Sequence, residues 1–167
     1  LSFTSNNGGK QYSSMGGLAG GKASLREGGI RVPTFARWPS RIPAGVTTTQ
    51  VASTLDWTAT MLAAAGVSPR RSHPLDGINL LPVLTGGDTC ERSIFWRTTQ
   101  RTRQAAVRHG GWKYLRDDEG EYLFDLVLDP GERIDQKSAQ PDRLQMLKAR
   151  YAGWEQRMLA PIGPERQ

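Results

Sequence analysis

The chain has 167 residues, 37% of them hydrophobic, with 19 glycines and 10 prolines, a composition that fits one domain, or a partial domain with a small second one, and leaves little for a self-sufficient core. Its formal charge of +6 suits an anionic small substrate, whereas no dense Lys/Arg block marks a nucleic-acid surface and no apolar run approaches the ~18 residues of a membrane span. The one cysteine, Cys90, excludes an internal disulfide.

In chain order, Leu1-Ser2-Phe3-Thr4 is a short apolar and β-branched run that predicts a buried strand, ending in the polar loop Ser5-Asn6-Asn7-Gly8-Gly9. In open α/β sheets such a strand end is where ligands bind. Four glycine doublets follow between Gly8 and Gly29, more than a regular element tolerates, so the stretch predicts a long binding loop. Lys22 lies within it as a compact point charge for an anion. Ile30 to Pro39 reads as a strand that Pro33 confines to a sheet edge or a strand start. A helix is expected over Trp57 to Ala65, capped by Thr54 or Asp56 and stopped by Gly66, with Trp57, Met61 and Ala64 or Ala65 on its core face. Residues 68–91 are a turn-rich excursion containing His73, which no neighbouring acid or nucleophile supports as a base.

Four alternating runs then predict a small antiparallel sheet: Ser93 to Thr98, Arg103 to Arg108, Trp112 to Arg116 and Glu121 to Leu126. Pro141 opens a last helix to about Leu159, with Leu144, Leu147, Tyr151, Trp154 and Met158 on one face. That helix is expected to cover one side of the sheet and water the other. Trp96, Trp112, Tyr114 and Tyr122 beside Arg97, Arg103 and Arg108 could form a stacking platform, but sheet packing explains the same alternation. The expected division is 1–90 and 91–167.

Thr4-Ser5-Asn6-Asn7-Gly8-Gly9 followed by Gly21-Lys22-Ala23-Ser24-Leu25-Arg26-Glu27-Gly28-Gly29-Ile30-Arg31-Val32-Pro33 resembles the later motifs of the type I sulfatases, the arylsulfatase-like branch of the alkaline phosphatase superfamily. The likeness continues in order through Arg37-Trp38-Pro39, Leu55-Asp56, Leu75-Asp76-Gly77, Trp112-Lys113-Tyr114, Leu123-Phe124-Asp125-Leu126 and Asp129-Pro130-Gly131-Glu132. It implies an α/β fold: the C-terminal part of an alkaline-phosphatase-like core over 1–90, then an antiparallel sheet packed on a C-terminal helix. It also implies hydrolysis of a sulfate ester on a small molecule or sulfated glycan, outside the cytosol (periplasm, lysosome or secreted), with no nucleic-acid or membrane partner.

By the same resemblance, Lys22 contacts the sulfate group and stabilises charge developing on it, and Asn6 and Asn7 occupy the calcium-ligand pair. The family usually has Asp where Asn6 stands, so one negative charge is lost, and an empty or weak calcium site is expected in this chain. Arg26 stands where the family often has an aromatic, and Glu27 and Arg31 are expected to pair within the loop. The family nucleophile is a formylglycine made in a Cys/Ser-x-Pro-x-Arg motif; hydrated, it would attack sulfur and its second hydroxyl would expel sulfate. That motif is absent from the 167 residues; Ser72-His73-Pro74-Leu75-Asp76 comes nearest and ends in Asp. The chain is therefore expected to be the C-terminal portion of a sulfatase, inactive alone, with exposed core surface that favours self-association. A phosphate or phosphonate ester hydrolase of the same superfamily, or a non-catalytic binding or assembly module, are the alternatives.

Overall fold

A computed structural model describes residues 1–10, 12–98 and 103–160. The elements in order are β1 (Ser2–Thr4), α1 (Glu27–Ile30), β2 (Thr34–Ala36), α2 (Leu55–Ala64), α3 (Leu81–Leu84), β3 (Ser93–Thr98), β4 (Gln104–His109), β5 (Trp112–Arg116), β6 (Glu121–Asp125) and α4 (Pro141–Glu155). Their contacts define two compact units, one of residues 1–6 and 33–92, the other of residues 7–32 and 93–167. The expected division at 90/91 runs along the sequence; by contacts, the glycine-rich segment belongs with the C-terminal residues.

In the first unit β1 pairs antiparallel with β2, Phe3 opposite Phe35, and the two rings stack with centroids 4.9 Å apart. Both rings stay about half exposed, at 49% and 57%, so β1 is not the buried strand its apolar run suggests. The strand expected from Ile30 to Pro39 shrinks to Thr34–Ala36 because Ile30 closes α1 and Pro33 has no N–H to give a ladder.

Helix α2 begins at Leu55, two residues before its expected body, and ends at Ala64; Thr54 precedes it without a side-chain capping bond, and Gly66 stands beyond its end at φ +70°. Its buried residues, however, are Asp56 and Thr60, while Met61 is 56% exposed. The polar pair wins the inner face because it organises three loops. Asp56 accepts hydrogen bonds from the Ser53 and Ile78 amides, at 2.6 and 2.8 Å, and from Arg92 at 2.7 Å. Thr60 donates to the Asp56 carbonyl and accepts from the Leu80 amide. Gly77 fits against this turn because a Cβ there would stand 2.2 Å from the Leu55 carbonyl oxygen.

The second unit is built on the meander β3-β4-β5-β6, antiparallel throughout. Strand alternation sends Ala105, Val107, Tyr114 and Leu123 to one face, where Leu147 and Tyr151 of α4 cover them. Phe95 and Trp154 add a parallel stack at 5.2 Å. The helix ends at Glu155, so Met158 lies beyond it and is 37% exposed.

The other face carries Ala106, Leu115, Phe124 and Leu126 and is closed by Leu25, with Ile30 packed alongside. Both faces are therefore dry, which corrects the expectation of one wet side and explains why Gln104 to Val107 are all buried. It also settles the aromatic platform. Trp112 and Tyr114 belong to the helix face, Trp96 and Tyr122 to the opposite one, so they share no surface.

At the edge of the α4 face, Glu121 accepts from the Tyr114 hydroxyl at 2.8 Å and from Lys148 at 2.6 Å. The Lys148 bond, with help from Tyr114 and against partial desolvation, holds the Glu121 carboxyl below its ordinary value. Burial, together with the Glu121 bond, pushes the Tyr114 hydroxyl well above the ordinary tyrosine range. A lowered carboxyl pKa stabilises the fold above its unfolded value of about 4.3, and that contribution fades as pH falls through the folded value. Thermal melts between pH 6 and pH 3 are expected to converge for wild type and Glu121→Gln at the acid end, with wild type more stable at pH 6. Parallel curves would contradict this.

Candidate functional site: the glycine-rich segment

The segment from Asn7 to Val32 is held in shape by backbone bonds between its own remote parts. The Gly8 amide donates to the Gly29 carbonyl at 2.8 Å, the Lys22 amide to the Gly9 carbonyl at 2.9 Å and the Gly28 amide to the Ala19 carbonyl at 2.7 Å. These approaches need glycine. A Cβ on Gly8 would stand 1.7 Å from the Gly28 carbonyl oxygen, and one on Gly29 would stand 2.1 Å from that of Ser24. Close approach also explains why Gly28 and Gly29 lie inside α1, against a helix propensity cost of about 1 kcal/mol each.

The segment is fixed to the sheet by side chains as well. The Gln104 amide on β4 accepts from the Leu25 N–H at 2.8 Å and donates to the Ala23 carbonyl at 3.2 Å. Ala23, the first of these anchors, stands at φ +75°, a left-handed conformation that costs a non-glycine residue about 1–2 kcal/mol. The strain falls beside Lys22, whose side chain is exposed.

Beneath this lies a buried charge cluster. Lys113 of β5, fully buried, has its ammonium 3.0 Å from Glu27 Oε1 and 2.8 Å from Glu132 Oε1. The second contact is an ion pair without hydrogen-bond alignment. Glu132 Oε2 accepts the Glu27 backbone N–H at 2.7 Å. Arg108 and Arg31 approach Glu27 Oε2 at 3.6 and 3.7 Å. Burial draws the Arg108 guanidinium below its ordinary pKa, opposed by the attraction of Glu27. Glu27 thus receives charge from three cations, and the expected pair with Arg31 is the longest of the three contacts.

Lys22 and Asn7 lie on this segment, and the Lys22–Gly9 bond brings Lys22 next to the chain two positions past Asn7. Asn6 belongs to the other compact unit and is exposed; Asn7 is half-buried. Among the described residues no group of three or more His, Cys, Asp or Glu side chains could hold a metal ion. Arg26 lies over the Tyr122 ring at 5.0 Å and pairs with Asp117 at 3.8 Å, so it packs on the sheet. His73 is exposed and bonded to Ser72 at 2.9 Å.

Sequence reasoning missed Lys113, Arg108 and Glu132 as partners of Glu27. The available signal was a lysine inside the apolar run Trp112-Lys113-Tyr114-Leu115, where the pleat leaves no route to water.

Residues 1–67 match the family model described as Sulfatase. N-acetylgalactosamine-6-sulfatase of Canis lupus familiaris is 42% identical over 100 residues, covering 56% of this chain and 19% of that protein. Arylsulfatase A of Homo sapiens is 34% identical over 182 residues, covering 87% of this chain and 36% of that protein. The chain therefore spans between about a fifth and just over a third of the length of these curated relatives. A solved structure described as Ps i-CgsB in complex with k-i-k-neocarrahexaose superposes with a TM-score of 0.85 at 30% identity, covering 92% of this chain and 35% of that one.

Proposed function

We propose, from the premise that this chain belongs to the sulfatase family, that it supplies one wall of a site that hydrolyses sulfate esters, with Lys22 as the contact to the sulfate group. The observation that carries this reading is the bond from Lys22 N–H to Gly9 O. It joins the lysine motif to the Asn-Asn-Gly-Gly turn on a segment that Glu27, Lys113 and Glu132 hold rigid from below. A lysine whose backbone is held in place on an exposed loop can present its ammonium to the charge that develops on a leaving sulfate.

The substrate class is a sulfated small molecule or glycan. The neocarrahexaose named for the similar solved structure supports the glycan. Asn6 and Asn7 are the residues that would face a calcium ion. Calcium takes six to eight oxygen ligands, and two neutral amides offer neither the number nor the charge. These residues alone do not fit the ion, and no step is assigned to it. With no Cys/Ser-x-Pro-x-Arg motif in its 167 residues, the chain has no source of the nucleophile and is inactive by itself.

The test is Lys22→Ala in an intact sulfatase carrying this chain, assayed on sulfate and phosphate esters of the same alcohol. A fall in kcat of about 10²–10³ on the sulfate ester is expected. An unchanged kcat would remove Lys22 from the site, and faster phosphate than sulfate turnover by the wild type would favour a phosphoester hydrolase.

A further inference from the structure

A cleft of about 690 Å³ opens in the first unit beside α2. Ala59 and Ala63 form one side, Val67 and Leu75 extend the apolar lining, and Arg70 and Arg71 supply its charge. Among the described residues neither guanidinium has an ion pair or hydrogen bond. The acid in the same loop, Asp76, is exposed and does not line the cleft. Two unneutralised cations beside an apolar depression give it a positive field that draws an anion.

We propose that this cleft binds a sulfate-bearing saccharide unit, the sulfate held by Arg70 and Arg71 and the sugar's C–H face resting on Ala59, Ala63, Val67 and Leu75. Guanidinium forks match the paired oxygens of a sulfate group and give it up less water than an ammonium would. The volume lies within the ~300–1,000 Å³ typical of small-ligand pockets. The lining has the amphipathic character of a sugar, apolar on its faces and charged only where a sulfate is attached. The inference deepens the proposed function and rests on it for the glycan. It adds a recognition point on the unit that does not contain Lys22.

Calorimetry on the 167-residue chain tests it, with a 6-O-sulfated disaccharide, its unsulfated counterpart and inorganic sulfate as probes. The sulfated disaccharide is expected to bind roughly tenfold or more tightly than either of the others. Arg70→Ala with Arg71→Ala should abolish that preference without moving the thermal midpoint, since both side chains are exposed. Arg41→Ala, which removes an exposed arginine of the same unit outside the cleft lining, should leave binding unchanged. Equal affinity for the unsulfated sugar, no effect of the double variant, or no binding by the wild type each overturns the cleft. Inorganic sulfate binding as tightly as the disaccharide overturns its saccharide part. Loss of binding with Lys22→Ala alone would place the ligand at the proposed catalytic wall, sinking the cleft while leaving the sulfate-ester reading intact.

Discussion

Replacing Lys113 by methionine should destabilise the chain by about 3–5 kcal/mol, the usual cost of breaking a buried ion pair by removing one partner. Methionine keeps most of the side-chain volume, so a cavity contributes little. What remains is two carboxylates, Glu27 and Glu132, held together by the 2.7 Å bond from the Glu27 amide, with no ammonium between them. Arg108 and Arg31 still face Glu27 Oε2, but Glu132 loses its only cation among the described residues. Urea denaturation measures the loss. Combining Lys113→Met with Glu132→Gln should recover a large part of it, because Glu27 keeps Arg108 and Arg31 while position 132 no longer carries an unpaired charge. A single variant within about 1 kcal/mol of wild type would mean that water or a nearby group neutralises the carboxylates, and the cluster would lose its place as the anchor of the Lys22 segment.

Asp56→Ala is expected to cost a similar amount, about 3–5 kcal/mol, for a different reason. The carboxylate is wholly buried and accepts three hydrogen bonds, two from amides in separate loops and one from Arg92. Its removal leaves the Ser53 and Ile78 N–H groups unsatisfied and the Arg92 guanidinium, 14% exposed, without its partner. Arg92→Ala should cost less, about 1–3 kcal/mol, since Asp56 would retain both amide donors. Hydrogen exchange at the α2 amides locates the effect, which should appear in the first unit and spare β3 to β6. Equal losses from the two variants would mean that the ion pair, and not the loop amides, is the reason for the buried acid.

The C-terminal meander was legible almost residue by residue, because strand period and glycine turns are local signals. Ser93 to Thr98, Trp112 to Arg116 and the start at Glu121 carried them without interference. The second strand begins at Gln104, one residue after its expected start. The covering of the sheet's second face was not legible. Leu25 and Ile30 reach it from about eighty positions away, and nothing in the alternation of β4 or β5 says which distant residue will close it. Helix α2 misled for a related reason. Met61 and Trp57 have the spacing of a core face, but Asp56 bonds three loops and outcompetes apolar burial for the inside. For the site, the order of motifs pointed to the segment and to Lys22, and the pairing of Glu27 with Lys113 was hidden because salt bridges between distant residues have no spacing. The glycine doublets predicted a loop; at Gly8, Gly28 and Gly29 they permit contact between backbones.

The sheet that joins residues 7–32 to residues 93–160 has a consequence for how the polypeptide matures. Glu27 and Glu132 are 105 positions apart, so their union closes a loop as long as a typical domain, and non-local closure of this kind slows folding. A ribosome releases the glycine segment first, and it must wait, without its partner surface, until β4, β5 and the Glu132 turn have emerged. The meander in turn can acquire α4 on one side soon after synthesis, while its other side stays greasy until the early segment docks. Docking of residues 7–32 on the second face of the meander therefore comes late, because it needs β4, β5 and the Glu132 turn already in place.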